Sequence, residues 1–277
     1  GGEFKTGTNV GVSYPTDKLR EDFDAICIAI GSTQARDLEI PGRELKGIHL
    51  AMEYLPQQNK LLAGEHIDPA ERITAEGKRV VILGGGDTGA DCLGTAHRHG
   101  AEVVYQYELL PEPPQERQPY KPWPQWPLIL RSSAAHEEGR VRDYSIQTKF
   151  FSGSNGHVEK LHAVRLKWGP LDSNGRPTMN EIPGSEFEIE VDLVLLALGF
   201  IHPEQSGLVA DLGVELDRRG NVKTDHGKMS SVPGIFAAGD AARGQSLVVW
   251  AIAEGREAAH HIDKYLMGTT SLPRSLR

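Results

Sequence analysis

The chain has 277 residues, 39% of them hydrophobic and 25% charged, with 30 basic against 38 acidic side chains and a net charge of −8. That length and composition suit a globular protein of about two domains with real cores, and the acidic balance gives no electrostatic case for nucleic acid or an anionic membrane as partner. Two cysteines, Cys27 and Cys92, exclude a disulfide framework and any four-cysteine zinc or iron–sulfur site built from these residues alone.

No basic stretch followed by an apolar one opens the chain, and the longest apolar run, Val191–Phe200 with Asp192 inside it, is too short to cross a bilayer. A cytoplasmic location is the default expectation. The chain starts Gly1-Gly2-Glu3-Phe4 without an initiator Met, and it reads as a piece of something longer.

Phe23-Asp24-Ala25-Ile26-Cys27-Ile28-Ala29-Ile30 is a near-continuous apolar run ending at Gly31-Ser32, the pattern of a buried parallel strand. Residues 32–48, with Pro41-Gly42, read as a connector. A helix is expected over 49–63, interrupted by Pro56. Residues 77–108 form the clearest unit: strand Lys78–Leu83, a tight turn over Gly84–Gly89, helix Ala90–His99 closed by Gly100, and strand Glu102–Glu108. Residues 111–127 hold seven prolines with Trp123 and Trp126, so they predict an ordered excursion or binding loop without helix or central strand. Ile146–Phe151, Val158–Trp168 and Phe187–Val191 alternate as antiparallel strands, with turns at Ser154-Asn155-Gly156 and Asp172-Ser173-Asn174-Gly175. Leu193–Leu198 returns to a buried strand ending at Gly199. Val232–Ala238 leads to Gly239-Asp240, and a helix over about 248–266 follows, with Ile252, Ala259, Ile262 and Leu266 on its apolar face.

Gly84-x-Gly86-x-x-Gly89 carries the chemistry. The first glycine permits the tight turn, the second lets backbone approach a pyrophosphate, and the third lets helix pack on strand; the helix N-terminus, with Asp87 and Thr88, then offers N–H groups to the phosphates. Alone the match is weak, but a strand precedes it, a helix follows it, and Glu108 ends the next strand. A carboxylate there can bond an adenosine ribose 2′-OH and repels a 2′-phosphate, which favours NADH over NADPH while leaving NADPH open; the plain alternative is a surface glutamate at a strand end. Gly239-Asp240 follows an apolar strand, where Asp240 can accept from a flavin ribityl hydroxyl. Gln245-Ser246-Leu247 then leads into a helix whose positive end would face the flavin's pyrimidine ring. Gly31 and Gly199, which close the two apolar strands that begin with Asp24 and Asp192, complete the cofactor-binding candidates. The eleven histidines show no zinc spacing, and His97, His99, His260 and His261 are expected on solvated helix surfaces. Hydride transfer needs no side-chain base, so no catalytic acid or base is assigned.

Asp24–Ser32, Pro56–Lys60, Val80–Cys92, Glu108–Pro111, Trp123–Pro127, His136–Glu138 and Gly239–Gly255 together resemble the small (beta) subunit of glutamate synthase, covering nearly the whole chain as its C-terminal part. The resemblance implies an α/β fold: a Rossmann-like nicotinamide domain with antiparallel crossover strands, residues 41–202, inserted in an incomplete FAD-binding domain, residues 1–40 and 203–277. It implies that NAD(P)H reduces FAD and that electrons pass through iron–sulfur clusters to FMN in the glutamate synthase large subunit. There ammonia from glutamine and 2-oxoglutarate become glutamate. That family's cysteine-rich region and FAD-binding glycine loop are not in these residues, so weak or no flavin binding is expected of this chain by itself. Two other readings stay open: a related flavoprotein with another acceptor, and a catalytically silent nucleotide-binding or docking module that uses 111–127 as its contact surface. A thioredoxin-reductase type of chemistry is disfavoured by the lack of a Cys-x-x-Cys pair.

Overall fold

The computed structural model describes residues 2–123, 129–139, 141–173, 175 and 177–275. Two compact units divide the chain: one is continuous, Asp37–Gly199, and the other is made of 1–36 with 200–277. In chain order the elements are α1 (Thr16–Asp22), β1 (Ile26–Ile28), β2 (Ile48–Leu50), α2 (Ala51–Leu62), β3 (Arg79–Leu83), α3 (Asp87–Arg98), β4 (Val103–Glu108), α4 (Ala134–Glu138) and β5 (Arg142–Tyr144). They continue with β6 (Ile146–Ser154), β7 (His157–Leu171), β8 (Pro177–Glu181), β9 (Phe187–Glu190), β10 (Leu193–Leu196), α5 (Leu208–Leu212), β11 (Ile235–Ala237), α6 (Asp240–Arg243) and α7 (Val248–Met267).

In the continuous unit a five-stranded sheet runs β2-β10-β3-β4-β5, parallel throughout. Both faces of its central strands are covered, which explains their unbroken apolar sequence. Val80 and Ile82 of β3 pack with Leu193 and Leu195 of β10 against α2 and α3, through Ala51, Tyr54, Leu93 and Ala96. Val81 and Leu83 pack with Val194 and Leu196 on the other side against Ile146, Phe151, Val158 and Leu161 of the antiparallel strands. Those strands form a second sheet in which β7 pairs with β6, β8 and β9. The β6–β7 hairpin closes on Asn155 and Gly156, both at positive φ, as a two-residue turn with the twist of its strands.

The discontinuous unit pairs β1 with β11 in parallel and packs Ile28, Val209, Leu212, Val222, Ile235 and Ala237 into one core.

Several expectations are corrected. Helix α2 runs straight through Pro56. A proline removes its own backbone donor and crowds the carbonyl four residues back, and here the turn before it is fastened by Leu50 N–H to Glu53 Oε2 at 2.9 Å and by wholly buried Tyr54. Helix α3 begins at Asp87 rather than Ala90, which brings Gly89 inside the helix. Strand β1 covers only three of the eight residues in its apolar run. His99 is no solvated helix end: Tyr54 Oη lies 2.9 Å from its Nδ1 and Gln58 Oε1 lies 2.7 Å from its Nε2, and burial lowers its pKa. The face of α7 is inverted: Ile252 and Leu266 are exposed, while Glu254, Glu257 and Ala258 are buried. Residues 111–123 carry no helix or strand; Pro124–Pro127 and Asn174 lie outside the described residues.

Candidate functional site

The β3–α3 turn is set by its neighbours. Gly84 has φ +121, and a Cβ there would stand 2.2 Å from the Ala197 carbonyl oxygen of β10's end; a Cβ on Gly89 would stand 2.3 Å from the Gly84 oxygen. Both positions therefore require glycine. A Cβ on Gly86 would meet nothing within 4 Å. This glycine faces open space at the start of α3, and α3 has no side-chain cap, so its first N–H groups are unsatisfied within the protein. An uncapped helix N-terminus beside an open glycine fits a diphosphate.

Period-two alternation of β4 sends Tyr105 and Tyr107 into the antiparallel side and Gln106 and Glu108 toward the loop. Glu108 Oε2 accepts from Gly85 N–H at 2.7 Å and Oε1 from Leu110 N–H at 2.9 Å. Glu108 is thus no free surface carboxylate; it ties the glycine loop to the end of β4. Gly85, Gly86, Asp87, Ala90 and Glu108 line one cavity of about 670 Å³, together with Leu110–Pro114, Arg131, Ser133, His136, Arg142 and Tyr144. Thr88 does not face it. It lines a different cavity between α2 and α3, with Pro56, Asn59 and Asp91. Gly199 lines neither; it is the last residue of the continuous unit, at φ +82.

In the other unit, Gly31, Gly239, Asp240, Ser246 and Leu247 come together around a cavity of about 400 Å³, whose remaining walls are Cys27, Ala29, Ala238, Val248, Ala251 and Gly255. Small side chains leave room for a flat ring there. Ser246 Oγ reaches Asp240 Oδ1 at 3.3 Å, and Leu247 precedes an uncapped α7. Gln245 lies off this lining and donates from Nε2 to Ser32 Oγ at 3.3 Å. Burial raises the Cys27 thiol and pushes Cys92 up to about 12, so neither is a thiolate at neutral pH.

Three residues given no role from sequence stand out. Glu254, 2% exposed, accepts from Gly239 N–H at 3.1 Å and from Arg243 Nε and Lys228 Nζ at 2.8 Å each, anchoring the loop that carries Asp240. Gln106 Nε2 donates to the Gly84 oxygen at 2.9 Å, and its Oε1 lies 3.1 Å from His136 Nε2. The available signal for Gln106 was its spacing of two from Glu108 on one strand. Among the described residues no three His, Cys, Asp or Glu side chains are placed to hold a metal ion, and no helix is long and apolar enough to cross a membrane.

The chain is 52% identical over 280 residues to the glutamate synthase [NADPH] small chain of Mycobacterium tuberculosis, a match that covers all of this chain and 56% of that one. It is 47% identical over 277 residues to the glutamate synthase [NADH] of Schizosaccharomyces pombe, covering 97% of this chain and 13% of that one. The chain thus spans about half the length of the small chain it matches. Among solved structures, FprA of Mycobacterium tuberculosis in complex with NADPH superposes with a TM-score of 0.69 at 16% identity, over 94% of this chain and 67% of that one. The thioredoxin reductase of T. acidophilum gives 0.55 at 22%, over 88% and 66%. Both show the fold. The pattern of the pyridine nucleotide-disulphide oxidoreductases matches residues 3–116 and 165–255, and on that match over most of its length the chain belongs to this family.

Proposed function

We propose that the chain is the electron-input part of a glutamate synthase, in which NAD(P)H reduces FAD and the electrons go on to a large subunit that makes glutamate. Similarity over the whole of this chain to about half of a glutamate synthase small chain supports the assignment. The observation that carries it is the cavity that gathers Gly85, Gly86, the uncapped start of α3 and Glu108. On this reading residues 41–202 are the nicotinamide domain, and 1–40 with 203–277 belong to the flavin domain.

A bound nicotinamide would supply a hydride to a bound flavin; the chain's own residues would bind and orient the two. The N–H groups opening α3 take the diphosphate, and Gly86 lets it approach the backbone. A carboxylate has about four lone-pair sites, so Glu108, with one backbone donor on each oxygen, retains acceptors for ribose hydroxyls. Asp240 would accept from a ribityl hydroxyl, and the start of α7 would offer positive potential to a bound flavin's pyrimidine ring. Hydride transfer then requires closeness and exclusion of water rather than a general acid. Among the described residues the discontinuous unit offers the flavin's pyrophosphate no glycine loop, so retention of flavin by this chain alone is expected to be weak.

NADH is the preferred donor. A 2′-phosphate would meet the Glu108 charge, and against that stands the Arg142 guanidinium in the same cavity, which donates to the Arg131 carbonyl at 3.0 Å and lies 5.6 Å from the centre of the Tyr144 ring but keeps its charge and further donors. Calorimetric titration tests both levels. NADH is expected to bind tighter than NADPH, and Glu108→Gln is expected to reduce that preference about tenfold by removing the repelling charge. No saturable binding of either nucleotide would sink the dinucleotide reading. NADH binding without dye reduction by the full-length small chain supplied with FAD would sink the electron-input role.

A further inference from the structure

We propose that Gln106 and His136 form a strut that fixes the tilt of the Gly84–Gly85 peptide and thereby sets the affinity of the glycine loop for a diphosphate; this rests on the dinucleotide reading above. In a trans peptide the carbonyl of one residue and the N–H of the next lie in one plane and point opposite ways. The Gly84 carbonyl accepts from Gln106 Nε2, and the Gly85 N–H donates to Glu108 Oε2. One strand therefore grips this peptide from both sides, with two side chains on the same face. The Gly84 N–H is already held by the Tyr107 carbonyl at 2.8 Å; a glycine pair has little steric preference of its own, so these two bonds fix the tilt of the peptide that follows.

The proton order along the strut follows from its ends. Gln106 must turn its NH2 group to the Gly84 carbonyl, which leaves Oε1 facing His136 Nε2. That nitrogen is then the N–H donor, and Nδ1 is the bare acceptor for the Ser133 N–H at 3.0 Å and the Ser133 hydroxyl at 2.9 Å. Gln106 is 1% exposed and His136 4%. Two polar side chains buried this deeply cost desolvation that a leucine would avoid, and their hydrogen bonds are spent on the loop. The strut also ends where it can be felt: Ser133 and His136 line the same cavity as Gly85 and Gly86. His136 is thus a positioning residue acting through Gln106.

ADP-ribose, which carries the diphosphate and adenosine without nicotinamide, is the probe, with adenosine as the control lacking phosphate. Calorimetry on the whole chain is expected to show Gln106→Met weakening ADP-ribose about tenfold while adenosine binding, followed by ligand NMR, stays unchanged. His136→Gln places an amide N–H where Nε2 was and is expected to keep wild-type affinity. His136→Asn reaches Ser133 but not Gln106, and is expected to weaken binding as Gln106→Met does. The contrast between those two His136 variants stands even if Gln106→Met fails to fold. Wild type that ignores ADP-ribose overturns the dinucleotide reading and the strut with it. Wild type that binds, beside folded variants that bind equally well or lose adenosine in equal measure, overturns the strut alone.

Discussion

Arg79 and Asp192 show what a single residue can contribute out of sight of its sequence neighbours. Asp192 Oδ2 accepts from the Arg79 backbone N–H at 2.9 Å and from Nε at 2.8 Å, while Oδ1 accepts from the second guanidinium nitrogen at 2.7 Å. These bonds, the guanidinium's first, hold the Asp192 carboxyl below its ordinary 3.8. A depressed folded-state value means that the contribution is complete above 3.8 and is lost as pH falls through the lower value. The pair is part-exposed, so Asp192→Asn is expected to cost about 1 kcal/mol at neutral pH. Its urea midpoint should then change less than wild type's between about pH 4 and pH 2; parallel curves would contradict the assignment. The partners lie 113 residues apart, so the echo of Asp24 and Asp192 at two strand starts carried no hint of this pairing. The turn at Gly84, Gly86 and Gly89, with Glu108 beside it, was legible as a turn because the backbone geometry it requires is local. Thr88 was grouped with them by spacing, but the helix turn rotates it to the α2 side.

Among elements, long buried strands and the β3–α3–β4 unit were readable because burial on both faces leaves unbroken apolar runs. Strands β2, β5 and β8 were not seen. The first two are three residues long and pair with strands remote in sequence, whereas the third pairs with β7 just before it but has mostly exposed residues. Helix α7 misled for another reason. Its apolar residues Val248, Val249 and Ile252 are exposed, and its buried face is acidic because Lys228 and Arg243 meet Glu254, and Arg274 meets Glu257, from other segments. Removing one member of a buried charge cluster strands the others. Glu254→Ala is therefore expected to destabilise by about 3–5 kcal/mol in urea denaturation, and Glu254→Gln, which keeps an acceptor for Gly239 N–H, by less. An alanine variant within about 0.5 kcal/mol of wild type would show the cluster to be idle.

At the level of the whole molecule, the continuous unit holds two complete cores of its own, whereas the core of the other draws Ile28 from one end of the chain and Val209, Val222 and Ile235 from the other. Residues 37–199 expressed alone are expected to unfold cooperatively and to bind ADP-ribose, and a broad, non-cooperative melt would show that they lean on the rest. Residues 200–277 alone lose β1, the strand paired with β11, and are expected to remain unfolded by circular dichroism. The same split orders events at the ribosome. Strand β1 has its register with Ile235–Ala237, so at about 5–20 residues per second some tens of seconds separate the synthesis of the two strands, while the middle of the chain is made and folds. During that interval the backbone edge that β11 will cover is open to chaperones, an exposure that ends only when Ile235–Ala237 have been delivered.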